Sequence, residues 1–142
     1  MFKVESQRIG VHTYKVTQLD AITGRRAFTR LLKLIGPAMS KLDGMGESSL
    51  ARAMAELVGH LEEGDVDYFC DTFSAVTEVS GGKYAKAAPQ LDTVFLSHFA
   101  GEYLEMTQWL VFCMKVNFAS FFAGAGQALG NQAPSDSSSP KP

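Results

Sequence analysis

The sequence predicts an α+β fold that is predominantly helical, with an N-terminal β-hairpin, about four to five helices and a disordered C-terminal tail. Residues 2–16 alternate apolar and polar side chains, as a half-buried hairpin does. Several later stretches repeat apolar residues at helical spacing. Residues 131–142 are rich in Ser and Pro and lack an apolar anchor. We therefore expect a single domain over residues 1–130, followed by the tail.

The predicted hairpin is centred on Ile9-Gly10, and because an isolated two-stranded ribbon is marginally stable, it should pack on a helix. Asp20 is a candidate N-cap for the helix that follows. Gly36-Pro37 should end or kink that helix, since proline clashes with the preceding turn. The apolar stripe of this helix consists of Phe28, Leu31, Leu32 and Ile35.

Two further helical patterns come next. Ser48 or Ser49 can cap a helix whose apolar stripe extends to Leu61. A third pattern follows Gly64, with acidic residues in or just before its first turn, where they suit the positive end of the helix dipole. The apolar positions of this third pattern are Val66, Phe69, Phe73 and Val76.

Ser80-Gly81-Gly82 predicts a turn. On this basis Thr77–Val79 and Lys83–Ala87 are expected to pair as a small second hairpin. Pro89 excludes a continuous helix through the region. We interpret the segment from Leu91 to Phe99 as a short helix.

The last helix is expected to run from about Gly101 to Phe122 and to be long and apolar. Six consecutive apolar residues, Trp109 to Met114, make every face of it apolar. A membrane span is disfavoured because Lys115 and Asn117 would lie near its centre, where a charge costs about 2.5–3.5 kcal/mol. The sequence therefore favours a core or interface helix.

Aromatic residues cluster around this helix, and the interval from Ser97 to Phe122 holds the single tryptophan and five of the ten phenylalanines. They can close the core of the protein or form an exposed docking patch, and the sequence leaves both interpretations open. The candidate partner-binding residues are Phe99, Trp109, Phe118, Phe121 and Phe122.

Charge is segregated along the chain. Residues 1–41 carry eight Lys/Arg against two acids, a net of +6, whereas residues 42–78 carry one Arg against nine acids, a net of −8. Such segregation indicates pairing within the fold or complementary patches between copies, and solvated helix faces that partly pair within the chain are favoured. Nucleic acid is not expected as a partner, because no aromatic platform interleaves the basic residues. The candidate electrostatic patch is Arg25, Arg26, Arg30 and Lys33.

No local spacing of residues indicates an enzyme, a cofactor or a metal site. The histidines His12, His60 and His98 fall in different predicted elements, and no pair has the i, i+4 spacing that places two imidazoles on one helical face. Cys70 and Cys113 lie in apolar helical patterns, which indicates buried thiols in a reducing compartment. No signal-peptide pattern opens the chain, so we expect a cytoplasmic protein.

Scattered positions over roughly residues 12–123 resemble the small tail assembly chaperones of long-tailed bacteriophages and prophages. The likeness includes a first segment from Tyr14 to Leu19 and, in the following helix, Arg25-Arg26 and Leu31–Ala38. It continues near the C-terminal end with His98–Gly101, Trp109-Leu110, Val116–Phe118 and Phe121-Phe122.

This resemblance implies a non-enzymatic, mostly helical protein without a cofactor. It would bind the tape measure protein, keep it soluble while tail tube subunits polymerise, and act in the cytoplasm of the host bacterium. Self-association is expected, and contact with the tail tube protein is a further expectation. One alternative is a small phage-encoded regulator that binds a host or DNA-associated protein through its basic helix. A less favoured alternative is a membrane-active lysis or exclusion protein.

Overall fold

The computed structural model of the protein describes residues 2–35 and 61–119. In these two ranges the chain forms three strands and four helices, which confirms the predicted α+β, mainly helical fold. Their order along the chain is β1 (Val4–Ile9), β2 (His12–Thr17), α1 (Ala21–Ile35), α2 (Glu63–Ser74), β3 (Thr77–Gly81), α3 (Leu91–His98) and α4 (residues 103–119).

The predicted N-terminal hairpin is confirmed. Strands β1 and β2 pair antiparallel from Val4 opposite Thr17 to Ile9 opposite His12. Gly10 makes the turn with a φ of 64°, a left-handed conformation that glycine adopts without a Cβ clash. Strand β1 is the edge of the sheet and is mostly exposed, whereas β2 is central and buries alternate side chains.

The hairpin gains a third strand, β3, which contains the predicted strand segment Thr77–Val79 but pairs with a partner that the sequence did not predict. Strand β3 pairs antiparallel with β2, with Tyr14 opposite Val79 and Val16 opposite Thr77. These four side chains are fully buried on one face of the sheet. The predicted pairing of Thr77–Val79 with Lys83–Ala87 is wrong, because the ladder of β3 is formed with β2. On its other side β3 makes only isolated bridges, Glu78 with Gln90 and Gly81 with Tyr84.

Helices α1 and α2 follow their predicted patterns. The Asp20 carboxylate caps α1 by accepting hydrogen bonds from the Thr23 backbone N–H (2.7 Å) and hydroxyl (2.9 Å). The buried face of α1 is centred on Leu31, with Phe28 partly buried beside it. In α2 the stacked rings of Phe69 and Phe73 are fully buried, with ring centroids 6.1 Å apart.

Helix α3 confirms the helical interpretation of the segment that begins at Leu91. The prediction that the last helix is long and apolar is not supported over the described range 103–119. Most residues from Trp109 to Phe118 are buried, but Gln108 and Lys115 are exposed and Glu105 is half-buried, so the helix has a polar face. No helix within the described residues is both long enough and apolar enough to cross a membrane.

The core lies between the buried face of the sheet and helices α2 and α4. Trp109 is fully buried, and its indole N–H donates to the Thr77 hydroxyl (3.2 Å). That hydroxyl donates in turn to the Phe73 carbonyl (2.7 Å). This chain of hydrogen bonds ties α4, β3 and α2 together.

Some predictions fall outside the described residues. They are the end of the first helix at Gly36-Pro37, the helix capped by Ser48 or Ser49, and the tail over residues 131–142. The single domain over residues 1–130 also stays a prediction.

Candidate functional site

The four residues of the predicted electrostatic patch lie on one groove between α1 and α2. Arg30 is only partly exposed and is paired within the chain, since its Nε donates to Asp65 (2.9 Å) and its guanidinium lies 4.5 Å from the ring centre of Tyr68. The other three side chains, those of Arg25, Arg26 and Lys33, are exposed. The sequence therefore located a basic groove, and the ion pair of Arg30 shows that the segregated charges meet partly within the chain.

The predicted partner-binding aromatics lie in the core where the structure describes them. Phe99, Trp109 and Phe118 are buried, and the rings of Phe99 and Trp109 are 5.5 Å apart. Phe118 packs between Phe28 of α1 and Phe73 of α2. In this conformation the three aromatic side chains are part of the core and are not exposed at the surface. Phe121 and Phe122 lie outside the described residues.

Three large apolar side chains that the sequence analysis did not select are strongly exposed near the start of α4. Leu96 is 90% exposed, Tyr103 66% and Leu104 73%. They flank the short turn between α3 and α4, and we call them the α3–α4 apolar residues. Leu91 and His98 lie on the buried face of α3. Leu96 is five positions after Leu91, which places it away from that face of the helix. This spacing was the signal in the sequence that Leu96 is exposed.

A second unexpected feature is a polar cluster that includes residues of both α3 and α4. It is formed by His12, Tyr14, Tyr84, His98 and Glu105. His12 Nδ1 lies 2.7 Å from Glu105 Oε2. The Tyr14 hydroxyl donates to the same carboxylate oxygen and lies 2.7 Å from His98 Nε2. The Tyr84 hydroxyl lies 3.0 Å from His98 Nδ1. The cluster thus connects β2, α3, α4 and the turn that follows β3.

The direction of these hydrogen bonds is set by the acceptor-only carboxylate of Glu105. Because Tyr14 donates to Glu105, its oxygen accepts from the His98 Nε2–H, and His98 Nδ1 accepts from the Tyr84 hydroxyl. Burial, and second the electrostatic interaction with His12, lower the pKa of His98 to about 4, so the His98 imidazole is neutral at pH 7. Burial and the hydrogen bond to Glu105 raise the pKa of Tyr14 far above its usual value.

The polar cluster brings together residues that are distant in the sequence. His12 and His98 are separated by most of the chain, yet their ring centres are 4.6 Å apart. They lie in different elements, as the sequence predicted, but their separation along the chain gave no indication that the fold brings them together with Glu105. The local sequence gave one indication of the cluster: the alternation in β2 predicts that Tyr14 lies on the buried face of the sheet.

The chain matches the family model described as phage tail assembly chaperone protein, TAC, over residues 10–130. The chain belongs to the phage tail assembly chaperone family. The resemblance inferred from the sequence is thereby confirmed. Comparisons with curated proteins and with solved structures gave no match.

Membership of the tail assembly chaperone family supports a role in phage tail assembly. The matched range contains the basic groove, the α3–α4 apolar residues and all five residues of the polar cluster.

Proposed function

We propose that this tail assembly chaperone acts without catalysis and binds the tape measure protein in the cytoplasm of the host bacterium. The observation that carries the proposal is the family match over residues 10–130. In this role the chaperone keeps the tape measure protein soluble until tail tube subunits polymerise around it. Family membership favours this role over the phage-encoded regulator and the lysis or exclusion protein.

The α3–α4 apolar residues are the best candidate for the contact with this client. Leu96, Tyr103 and Leu104 are each more than half exposed. Complete burial of one leucine side chain at an interface contributes about 1.5–3 kcal/mol. A helical client with an apolar face offers complementary chemistry. Phe99, at the C-terminal end of α3, and Trp109 of α4 are buried, and the contact between their rings holds α3 and α4 together.

Co-expression with the tape measure protein tests the proposal. We expect the wild-type chain to keep the client soluble and to co-purify with it. The Leu96→Glu and Leu104→Glu double variant should reduce the co-purified client about tenfold or more, because it places charges where apolar contacts form. Ile22→Glu is a matched control, since Ile22 is also exposed but lies at the start of α1.

Two outcomes separate the parts of this proposal. An insoluble client that does not co-purify with the wild-type chain would show that the tape measure protein is not the partner. A client that is bound equally by the wild type and the double variant would leave the partner in place and exclude the α3–α4 apolar residues as its binding surface.

We further propose that copies of the chain associate through complementary charge. The basic groove presents Arg25, Arg26 and Lys33, whereas α2 exposes the acids Glu63, Asp67 and Asp71. Such contacts weaken as salt screens them, over a length of about 10 Å at 0.1 M. Sedimentation velocity at low and high salt tests this proposal, with the Arg25→Glu and Arg26→Glu double variant as the comparison. A wild-type chain that stays monomeric at low salt would refute it.

A further inference from the structure

We propose that His12, His98 and Glu105 form a binding site for a divalent transition-metal ion such as Zn²⁺. The three side chains come from β2, α3 and α4, and one ligand atom of each lies within 4.8 Å of the other two. Two imidazoles and one carboxylate are a common three-residue donor set for zinc. An ion at this position would join β2 to helices α3 and α4, which lie about eighty residues further along the chain.

Two of the three separations between ligand atoms are within about 1 Å of those that a zinc ion requires, and the third, between the two histidines, is no more than 4.8 Å. Ligand atoms about 2.0–2.1 Å from a tetrahedral zinc ion lie about 3.3 Å from one another. His12 Nδ1 is 2.7 Å and His98 Nε2 is 4.0 Å from Glu105 Oε2. Binding therefore moves the first pair apart and the second pair together, and each shift is below about 1 Å.

The surrounding groups can orient two of the ligands. When His98 Nε2 binds an ion, its Nδ1 carries the proton, and this N–H donates a hydrogen bond to the Tyr84 hydroxyl oxygen, which is 3.0 Å away. The Tyr14 hydroxyl donates to the carboxylate of Glu105. Hydrogen bonds of this kind fix the tautomer of a ligating histidine and the orientation of a ligating carboxylate.

The ion has one competitor and one route of entry. The Tyr14 hydroxyl contacts both His98 Nε2 and Glu105 Oε2, so binding replaces the hydrogen bond between Tyr14 and His98. Loss of that hydrogen bond lowers the affinity relative to a fully pre-formed site. The side chains of His12 and Glu105 are each 14% exposed, which gives a hydrated ion access from solvent.

The test uses the full chain without an affinity tag, freed of metal with EDTA and then dialysed. Calorimetric titration with Zn²⁺ should show one ion per chain, and the ion should raise the thermal unfolding midpoint. Titration with Co²⁺ should produce the visible absorption of a low-symmetry site with nitrogen and oxygen ligands. We expect His12→Asn and Glu105→Gln each to weaken Zn²⁺ binding about tenfold or more, because each removes a strong ligand.

Matched variants separate this site from other binding. His12→Asn keeps an N–H donor near the position of Nδ1, so the polar cluster can persist without the ligand. Glu102→Gln removes the same charge as Glu105→Gln from an exposed position near the start of α4, and it should bind as the wild type does. His60→Gln removes the remaining histidine and should also leave the affinity unchanged.

Three results would overturn the proposal. The first is the absence of stoichiometric binding by the wild-type chain. The second is unchanged affinity in both His12→Asn and Glu105→Gln, which would show that the cluster is only a hydrogen-bonded part of the core. The third is an intense thiolate charge-transfer band with Co²⁺, which would assign the ion to Cys70 or Cys113.

Discussion

Asn117 joins α4 to the segment that leads into α1, and its replacement by alanine should destabilise the fold. Its Oδ1 accepts a hydrogen bond from the Leu19 backbone N–H (2.8 Å), and its Nδ2 donates to the Cys113 carbonyl (3.0 Å). Leu19 is 7% exposed, so its N–H loses its partner in a largely buried position. Alanine removes both contacts and introduces no new one.

The size of the effect follows from two opposing contributions. A buried N–H left without a partner costs about 1–3 kcal/mol. Alanine favours a helix interior over asparagine by up to about 0.7 kcal/mol, which offsets part of the loss. We therefore expect Asn117→Ala to lower the free energy of unfolding by about 1.5 kcal/mol. Urea titration followed by the fluorescence of Trp109, the single tryptophan and a buried one, measures the change.

Two variants serve as controls. Asn117→Asp keeps an acceptor for the Leu19 N–H but places a carboxylate oxygen against the Cys113 carbonyl, so it should also destabilise the fold, and protonation of the carboxyl group at low pH should reduce that loss. Lys115→Ala changes an exposed position of the same helix and should stay within about 0.5 kcal/mol of the wild type. The reasoning fails if Asn117→Ala is as stable as Lys115→Ala.

Two further predictions concern the thiols and the cap of α1. Burial raises the pKa of Cys70 to about 12 and that of Cys113 well above its usual value, so neither thiol should react with Ellman's reagent at pH 8 until the chain is denatured; fast reaction of the native chain would contradict this. Hydrogen bonds from Thr23 lower the pKa of Asp20, so its stabilising effect is present above the unfolded-state pKa and is lost as pH falls through the lower folded-state pKa. Asp20→Ala should therefore lower the unfolding midpoint at pH 7, and its difference from the wild type should shrink below about pH 4; a difference that does not depend on pH would refute this.

The sequence alone determined the elements whose signals are local. Alternation around Gly10 predicted the hairpin, the capping carboxylate of Asp20 predicted the start of α1, and the spacing of Phe69 and Phe73 predicted α2. Each of these signals depends on residues within a few positions of one another. The family resemblance was also visible in the sequence, and the family model matches residues 10–130.

The tertiary structure decided the features that depend on distant residues. Strand β3 had no local signal for its pairing with β2, since its hydrogen bonds cross more than sixty positions of the chain. The exposure of Leu104 and the burial of Trp109, five positions apart on one helix, depend on which face of α4 meets the sheet. The approach of His12 to His98 exists only once β2 and α3 are packed together. Periodicity predicts elements because it is local, whereas a site assembled from several elements is fixed by the packing between them.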